Sequence, residues 1–184
     1  MIQPLDTHTT YRIAGRGGAV YLAVEGVLWL LSATCGSLGR LPLAMGTLIF
    51  GGMLIHPISL GVSRLLQLPK PAESNDLPIL NTWLALMIPL SLPLLFMAVA
   101  GGRSHLFYPA FAVIIGAHWL PFTYVYRMKS FAVFAGVFVA TGIVFAFIIP
   151  QTFAVPGFVV GAELLLFAAI NNRLVQRELK QKQY

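Results

Sequence analysis

Residues 77–100 have the sequence LPILNTWLALMIPLSLPLLFMAVA, which contains no charged side chain. A helix needs about 20 predominantly apolar residues to cross a hydrocarbon core about 30 Å thick. In a soluble domain, a helix this apolar would expose part of its hydrophobic surface to water. The stretch therefore predicts a membrane-spanning helix.

Five further runs of similar character predict a single domain that is an all-α integral membrane bundle of six transmembrane helices. Of the 184 residues, 58% are hydrophobic and 10% are charged, whereas soluble chains carry about 25% charged residues. Prolines are expected to kink predicted helices 2, 3 and 4, because proline removes a backbone donor. The six predicted helices cover residues 19–38, 41–62, 77–100, 106–125, 131–149 and 155–170.

The distribution of basic residues predicts the orientation of the bundle. Cations in short loops resist translocation, so they accumulate on the cytoplasmic side. With the N-terminus inside, all twelve Lys and Arg residues except Arg40 and Arg103 lie on that side. We therefore expect an N-in/C-in protein of the cell membrane, with a basic cytoplasmic tail at residues 171–184 that continues the last helix beyond the membrane. The first sixteen residues lack the charged-then-apolar order of a cleavable signal peptide.

Charge and cysteine content narrow the classes of partner and cofactor. The net charge is +6, but the cations are scattered over short segments and do not form the basic stripe with aromatics of a nucleic-acid-binding surface. The lipid bilayer and its anionic headgroups are the expected partners. Cys35 is the only cysteine, so neither a disulfide nor a cysteine metal site is predicted. No cofactor is expected, and no nucleophile–base motif of an enzyme is present.

Small residues predict where helices pack closely, since close backbone approach drives helix association in lipid. Ala132, Gly136 and Ala140 recur at every fourth position of predicted helix 5. Gly157 and Gly161 have the same spacing in predicted helix 6. Both stripes are expected to face neighbouring helices.

Ionisable residues within the predicted helices mark a candidate site, because such residues are costly in the bilayer and usually face the protein interior. Glu25, His56, His118 and Glu163 each lie six or seven residues from the predicted inner end of their helix, which is about 9–10 Å at 1.5 Å per residue. Asn81 lies within a turn of that level. We predict that these side chains meet in one polar layer open to the cytoplasm.

Two interpretations of the polar layer stay open. Carboxyl and imidazole groups that share a cavity could form a proton-responsive or cation-binding site. Alternatively, they could make interhelical hydrogen bonds that set the helix register. The first interpretation predicts a small transporter or solute-binding protein, and the second predicts a non-catalytic membrane scaffold or interaction protein. A bound solute or ion at the layer would distinguish them.

Three stretches resemble an uncharacterised family of small bacterial multi-pass membrane proteins, classed as a domain of unknown function. They are FGGMLIHP at residues 50–57, GAHWLPFTYVYRM at 116–128 and GAEL at 161–164. The resemblance implies a bacterial inner-membrane location. The family pattern has an aromatic residue at the position of His56, an arginine at that of His118 and an acid near Asn81. A cation opposite Glu163 is therefore the shared feature, which favours pairing of His118 with Glu163 or Glu25.

Overall fold

The computed structural model describes residues 6–69, 77–149 and 153–181. Every regular element within these ranges is a helix, as predicted. Two single 3-10 turns, Arg16–Gly18 and Ser104–Leu106, precede the second and fifth α-helices. The eight α-helices are α1 (Thr7–Ala14), α2 (Ala19–Ser37), α3 (Leu41–Leu65), α4 (Leu77–Val99), α5 (Phe107–Trp119), α6 (Phe122–Tyr126), α7 (Ser130–Phe147) and α8 (Val155–Gln181).

Five of these helices, α2, α3, α4, α7 and α8, are long and apolar enough to cross a membrane. The outer surfaces of α3 and α4 support this assignment, because they expose large apolar side chains. Phe50 and Leu90 are 68% and 77% exposed, for example. Contiguous apolar surface of this kind is stable in contact with lipid and unfavourable in contact with water. The chain therefore has the character of a multi-pass membrane protein.

The fourth predicted helix, residues 106–125, is not one continuous helix in the structure. It forms α5 of 13 residues and α6 of 5 residues, with a turn at Leu120 and Pro121 between them. Pro121 has no N–H to donate to Ala117, and Thr123 N instead donates to Leu120 O at 3.1 Å, in the tighter i to i−3 pattern. The kink expected at Pro121 is therefore confirmed, since Leu120 and Pro121 keep helical backbone angles while the hydrogen-bond pattern is interrupted there. The prolines within α3 and α4 lie in uninterrupted helices.

Glycines lie at two close contacts between helices. A Cβ added at Gly26 of α2 would lie 3.1 Å from the carbonyl oxygen of Gly161 in α8. One added at Gly142 of α7 would lie 2.6 Å from the carbonyl oxygen of Pro109 in α5. Helix α2 thus packs against α8 and α5 against α7, while α3 lies on α2 and α4 on α5. The Gly157 and Gly161 stripe packs as predicted.

The small-residue stripe on predicted helix 5 does not pack as expected. Ala132, Gly136 and Ala140 are all exposed. A Cβ at Gly136 would meet no atom within 4 Å. The packed face of α7 is the opposite one, where Phe131, Phe134 and Phe138 are buried in the core. The prediction was wrong about the face, because the small residues of α7 that approach α5 are Ala135 and Gly142, which lie among the buried aromatic side chains.

Helix α1 lies outside the predicted helices and ties the start of the chain to α8. The side chain of Arg12 forms a two-pronged ion pair with Glu178, with distances of 2.6 and 3.0 Å. Arg12 also donates to the carbonyl oxygen of Tyr126 at 3.0 Å. Asn171 of α8 stabilises the 3-10 turn that precedes α2, because its side-chain amide donates to Gly17 O at 3.0 Å. We call this end of the bundle, with α1, α6 and the last turns of α8, the α1 end.

Candidate functional site

Glu25 is the most deeply buried acid in the described chain. Its side chain projects from α2 close to the crossing with α8, and the residue is 5% exposed. The indole N–H of Trp119 in α5 donates to Oε2 at 3.2 Å. The indole of Trp29, one turn along α2, also lies near the carboxyl group. Among the residues that the structure describes, no cationic side chain forms an ion pair with Glu25.

His118 is also buried, at 7% exposure. Its ring lies close to the main chain of Leu84 in α4. The ring packs edge-on against Trp119 and Phe122, with centroid distances of 5.5 and 5.4 Å. Its Nδ1 has no hydrogen-bond partner within the described residues. His118 is thus a neighbour of Trp119 in sequence but lies near a different helix.

Glu163 lies at the contact between α7 and α8. Thr141 Oγ1 donates to Glu163 Oε1 at 2.7 Å. The other carboxyl oxygen, Oε2, is buried and has no partner in the part of the chain that the structure describes. The group is half-buried as a residue. One oxygen atom is therefore satisfied by a neutral hydroxyl, and the other remains available.

The expected direct pair between Glu163 and His118 is not formed. Gly142, which follows the Thr141 partner of Glu163, lies against Val113 of α5. His118 is five residues farther along the same helix, a rise of about 7 Å. Within the described ranges, neither a hydrogen bond nor an ion pair joins the two side chains. A shared level along the bundle does not decide which way a side chain faces: Glu163 bonds Thr141 of α7, whereas His118 packs against Trp119 and Phe122.

The other two predicted residues also lie apart from Glu25. His56 is exposed on α3, and its Nδ1 lies 3.0 Å from the hydroxyl of Tyr21 in α2. Asn81 is half-buried on α4, one turn before Leu84, and so shares the α4–α5 side of the bundle with His118. The predicted residues are therefore distributed over four separate helix contacts: α2–α5 for Glu25, α4–α5 for His118 and Asn81, α7–α8 for Glu163 and α2–α3 for His56.

The partners of the two acids were missed because they are neutral. Trp119 and Thr141 were counted as parts of apolar runs, although a buried indole N–H usually has an acceptor. A further buried chain was missed for the same reason: Tyr108 and Ser32 hydroxyls lie 2.7 Å apart, and Ser32 donates to Ala44 O at 2.6 Å. The sequence does contain one signal for Trp119: an indole N–H within an apolar helix needs an acceptor, such as a carboxyl or carbonyl group, on a neighbouring helix.

The described residues contain no group of three or more His, Cys, Asp or Glu side chains that could hold a metal ion. The chemistry available at Glu25 is that of one carboxyl group that receives N–H donors in an apolar core. An uncompensated carboxylate is costly in such a place. Uptake of a cation, a proton included, would remove that cost.

A second polar cluster lies at the α1 end. Asp6 caps α1 by accepting from Thr9 N and Thr9 Oγ1, both at 3.0 Å. These hydrogen bonds, that from the Thr9 main chain first, lower the pKa of Asp6. Tyr11 packs on Tyr126 with a ring distance of 5.6 Å, and burial raises the pKa of Tyr11 to about 12. The cluster fixes α1 against α6.

Comparison with curated proteins and with solved structures gave no match for this chain. One family model does match, over residues 6–173, and it is described as a family of unknown function. The match covers all of α1 to α7 and most of α8, including Glu25, His118 and Glu163. The expectation of an uncharacterised family is thereby confirmed, and the chain belongs to the family of unknown function DUF7010.

Proposed function

We propose that this protein is a small transporter or solute-binding protein of the cell membrane, and that Glu25 is its cation-binding group. The observation that carries the proposal is the environment of Glu25, which is 5% exposed and bonded to the indole of Trp119. Neutral polar residues would satisfy a purely structural hydrogen bond at lower cost than an acid. An acid that faces N–H donors is suited to reversible uptake of a proton or another small cation.

The proposal includes six membrane crossings with both termini in the cytoplasm. The five long helices account for five crossings, and α5 with α6 would supply the sixth. Two contacts support this: Tyr108 at the start of α5 bonds Ser32 near the end of α2, while Tyr126 at the end of α6 packs on Tyr11 in α1. The pair α5–α6 thus extends from one end of the bundle to the other. Because α1 and the end of α8 are in contact, they lie on the same side of the membrane, and an even number of crossings has this result.

Cysteine labelling in intact cells tests the sixth crossing. Two variants are made in a Cys35→Ala background: Ser104→Cys, at a position before α5, and Lys129→Cys, at a position after α6. We expect a membrane-impermeant maleimide to react with the first variant in intact cells and with the second only after lysis. Equal labelling of both before lysis would overturn the crossing, and the reverse pattern would overturn the orientation.

Carbodiimide labelling tests the role of Glu25. A hydrophobic carbodiimide modifies protonated carboxyl groups in apolar surroundings, and mass spectrometry of the full chain locates the adduct. We expect modification at Glu25 that falls as pH rises from 5 to 9, and that is slowed at fixed pH by any cation that binds there. Sodium and potassium salts are the first probes. Glu163→Gln is the matched control and should keep the modification at Glu25, whereas Glu25→Gln should remove it.

A second candidate function, a non-catalytic scaffold or interaction protein, is favoured by the neutral partners of the remaining polar residues. Thr141 bonds Glu163 and Tyr21 bonds His56, each across a contact between two helices. Bonds of this kind fix helix register. Modification of Glu25 that is unchanged by pH and by added cations would support this candidate and refute cation uptake.

We further propose that anionic lipid headgroups attract the basic end of α8. Arg173, Arg177 and Lys180 are exposed there, and Lys182 lies outside the described residues. Each such cation near an anionic surface adds about 1 kcal/mol. Binding of the isolated segment 171–184 to vesicles that contain phosphatidylglycerol should weaken as salt is added, and binding that is insensitive to salt would contradict the proposal.

A further inference from the structure

We propose that a cleft at the α1 end is a binding site for a phosphate group, of the kind carried by an anionic phospholipid headgroup or by a soluble phosphate. The cleft has a volume of about 290 Å³ and lies between the start of α7, the end of α8 and the side chain of Arg12. It is separate from Glu25 and does not depend on cation uptake there.

The charge of the cleft favours an anion. Its lining includes three cations, Arg12, Arg127 and Lys129, and one acid, Glu178. Glu178 compensates Arg12, to which it is bonded at 2.6 Å. Asp6 lies 3.7 Å from Arg127, but both side chains are more than half exposed, so solvent screens this pair. Lys129 forms no ion pair within the described ranges, and the cleft keeps a net positive charge.

A hydrogen-bond donor is also available beside the cations. Ser130 lines the cleft as the first residue of α7. Its hydroxyl oxygen is shielded from solvent and has no hydrogen-bond partner among the residues described. Buried hydroxyl groups are rarely left without a partner. A phosphate oxygen in the cleft would supply the missing acceptor, while Lys129 and Arg127 would balance its charge.

The remaining lining is apolar, which distinguishes this cleft from an ordinary patch of surface lysines. Met128, Leu174 and Val175 contribute the apolar part. Val175 is 1% exposed and Met128 is 8% exposed, so both belong to the packed interior. A phospholipid offers both features, a charged phosphate and an apolar glycerol and acyl region. A soluble phosphate would use only the polar part.

Native mass spectrometry of the full chain in detergent tests the site. The probes are phosphatidylglycerol and phosphatidylcholine with the same acyl chains, together with inorganic phosphate alone. We expect the first bound phosphatidylglycerol to have a Kd at least about fivefold below that of phosphatidylcholine, which corresponds to about 1 kcal/mol per basic contact. If inorganic phosphate displaces phosphatidylglycerol, the ligand of the cleft is a soluble phosphate. If it does not, the ligand is the phospholipid headgroup. Both results support a phosphate site.

Two matched variants separate a defined site from general attraction to a basic surface. Lys129→Gln removes a cation from the cleft, and Arg64→Gln removes an exposed cation in the last turn of α3 that does not line it. We expect Lys129→Gln to raise the Kd for the first phosphatidylglycerol about fivefold and Arg64→Gln to leave it unchanged. Equal effects of the two variants would overturn the proposal, as would equal affinity of the wild-type protein for the two lipids.

Discussion

Replacing Gly142 by alanine should destabilise the bundle at the α5–α7 contact. The new Cβ would lie 2.6 Å from Pro109 O and 2.7 Å from Val113 Cγ2. Ordinary van der Waals contact begins at about 3.4 Å, so the two helices must separate by about 0.8 Å at a point where the obstacle is backbone. Overpacking of this kind costs about 1–3 kcal/mol, which exceeds the 0.5–1 kcal/mol that alanine gains over glycine within a helix.

Gly136→Ala is the control, because it makes the same change in the same helix where a Cβ meets no atom within 4 Å. The assay is unfolding of both variants in mixed micelles by increasing sodium dodecyl sulfate. We expect the free energy of unfolding to fall by about 1–2 kcal/mol for Gly142→Ala and to stay level or rise for Gly136→Ala. If the two variants were equally stable, the close approach of α5 and α7 would be refuted.

Two predictions concern α1. Glu178→Gln should weaken the attachment of α1 by about 1–2 kcal/mol, since the ion pair with Arg12 is two-pronged and its side chains are only 25% and 14% exposed. Amide exchange in α1 should then accelerate about 5- to 30-fold, and an equal effect of Arg177→Gln would contradict the role of the pair. Because hydrogen bonds lower the pKa of Asp6 below 3.8, its cap is fully present above that value and is lost as pH falls through the lower folded pKa. The Thr9 amide NMR shift should follow this loss and lose its pH response in Asp6→Asn; a midpoint at or above 3.8 would be inconsistent with the cap.

The apolar helices could be predicted from the sequence because hydropathy is a local property. Helix α3 begins at Leu41 and α8 at Val155, as the runs indicated. Helix α1 was not predicted, because it is short and polar, and its stability comes from Arg12 and Tyr11 contacts with distant residues. The acidic cap at Asp6 was its one local signal. The break at Pro121 follows from the chemistry of proline, but prolines within α3 and α4 cause no break, so the residue type alone does not decide the outcome.

The candidate site was only partly predictable for a different reason. The buried acids Glu25 and Glu163 could be identified by their charge alone. Their partners depend on how helices distant in sequence align and on which face of each helix a side chain lies, and neither can be counted from helix ends. Helix α8 itself continues to Gln181, as expected for a helical tail. The neutral donors Trp119 and Thr141 therefore took the place that the prediction gave to His118.

The contact between α2 and α8 has a consequence for biosynthesis. Helix α2 leaves the ribosome before α8, with three other long apolar helices between them, yet Gly26 and Gly161 meet at their crossing. Contacts so distant in sequence form late and slow folding. Until α5 is made, Glu25 also lacks its Trp119 donor. The nascent chain therefore carries an acid without its N–H partner while several helices are synthesised, which makes the unfinished bundle the stage most exposed to misassembly and degradation.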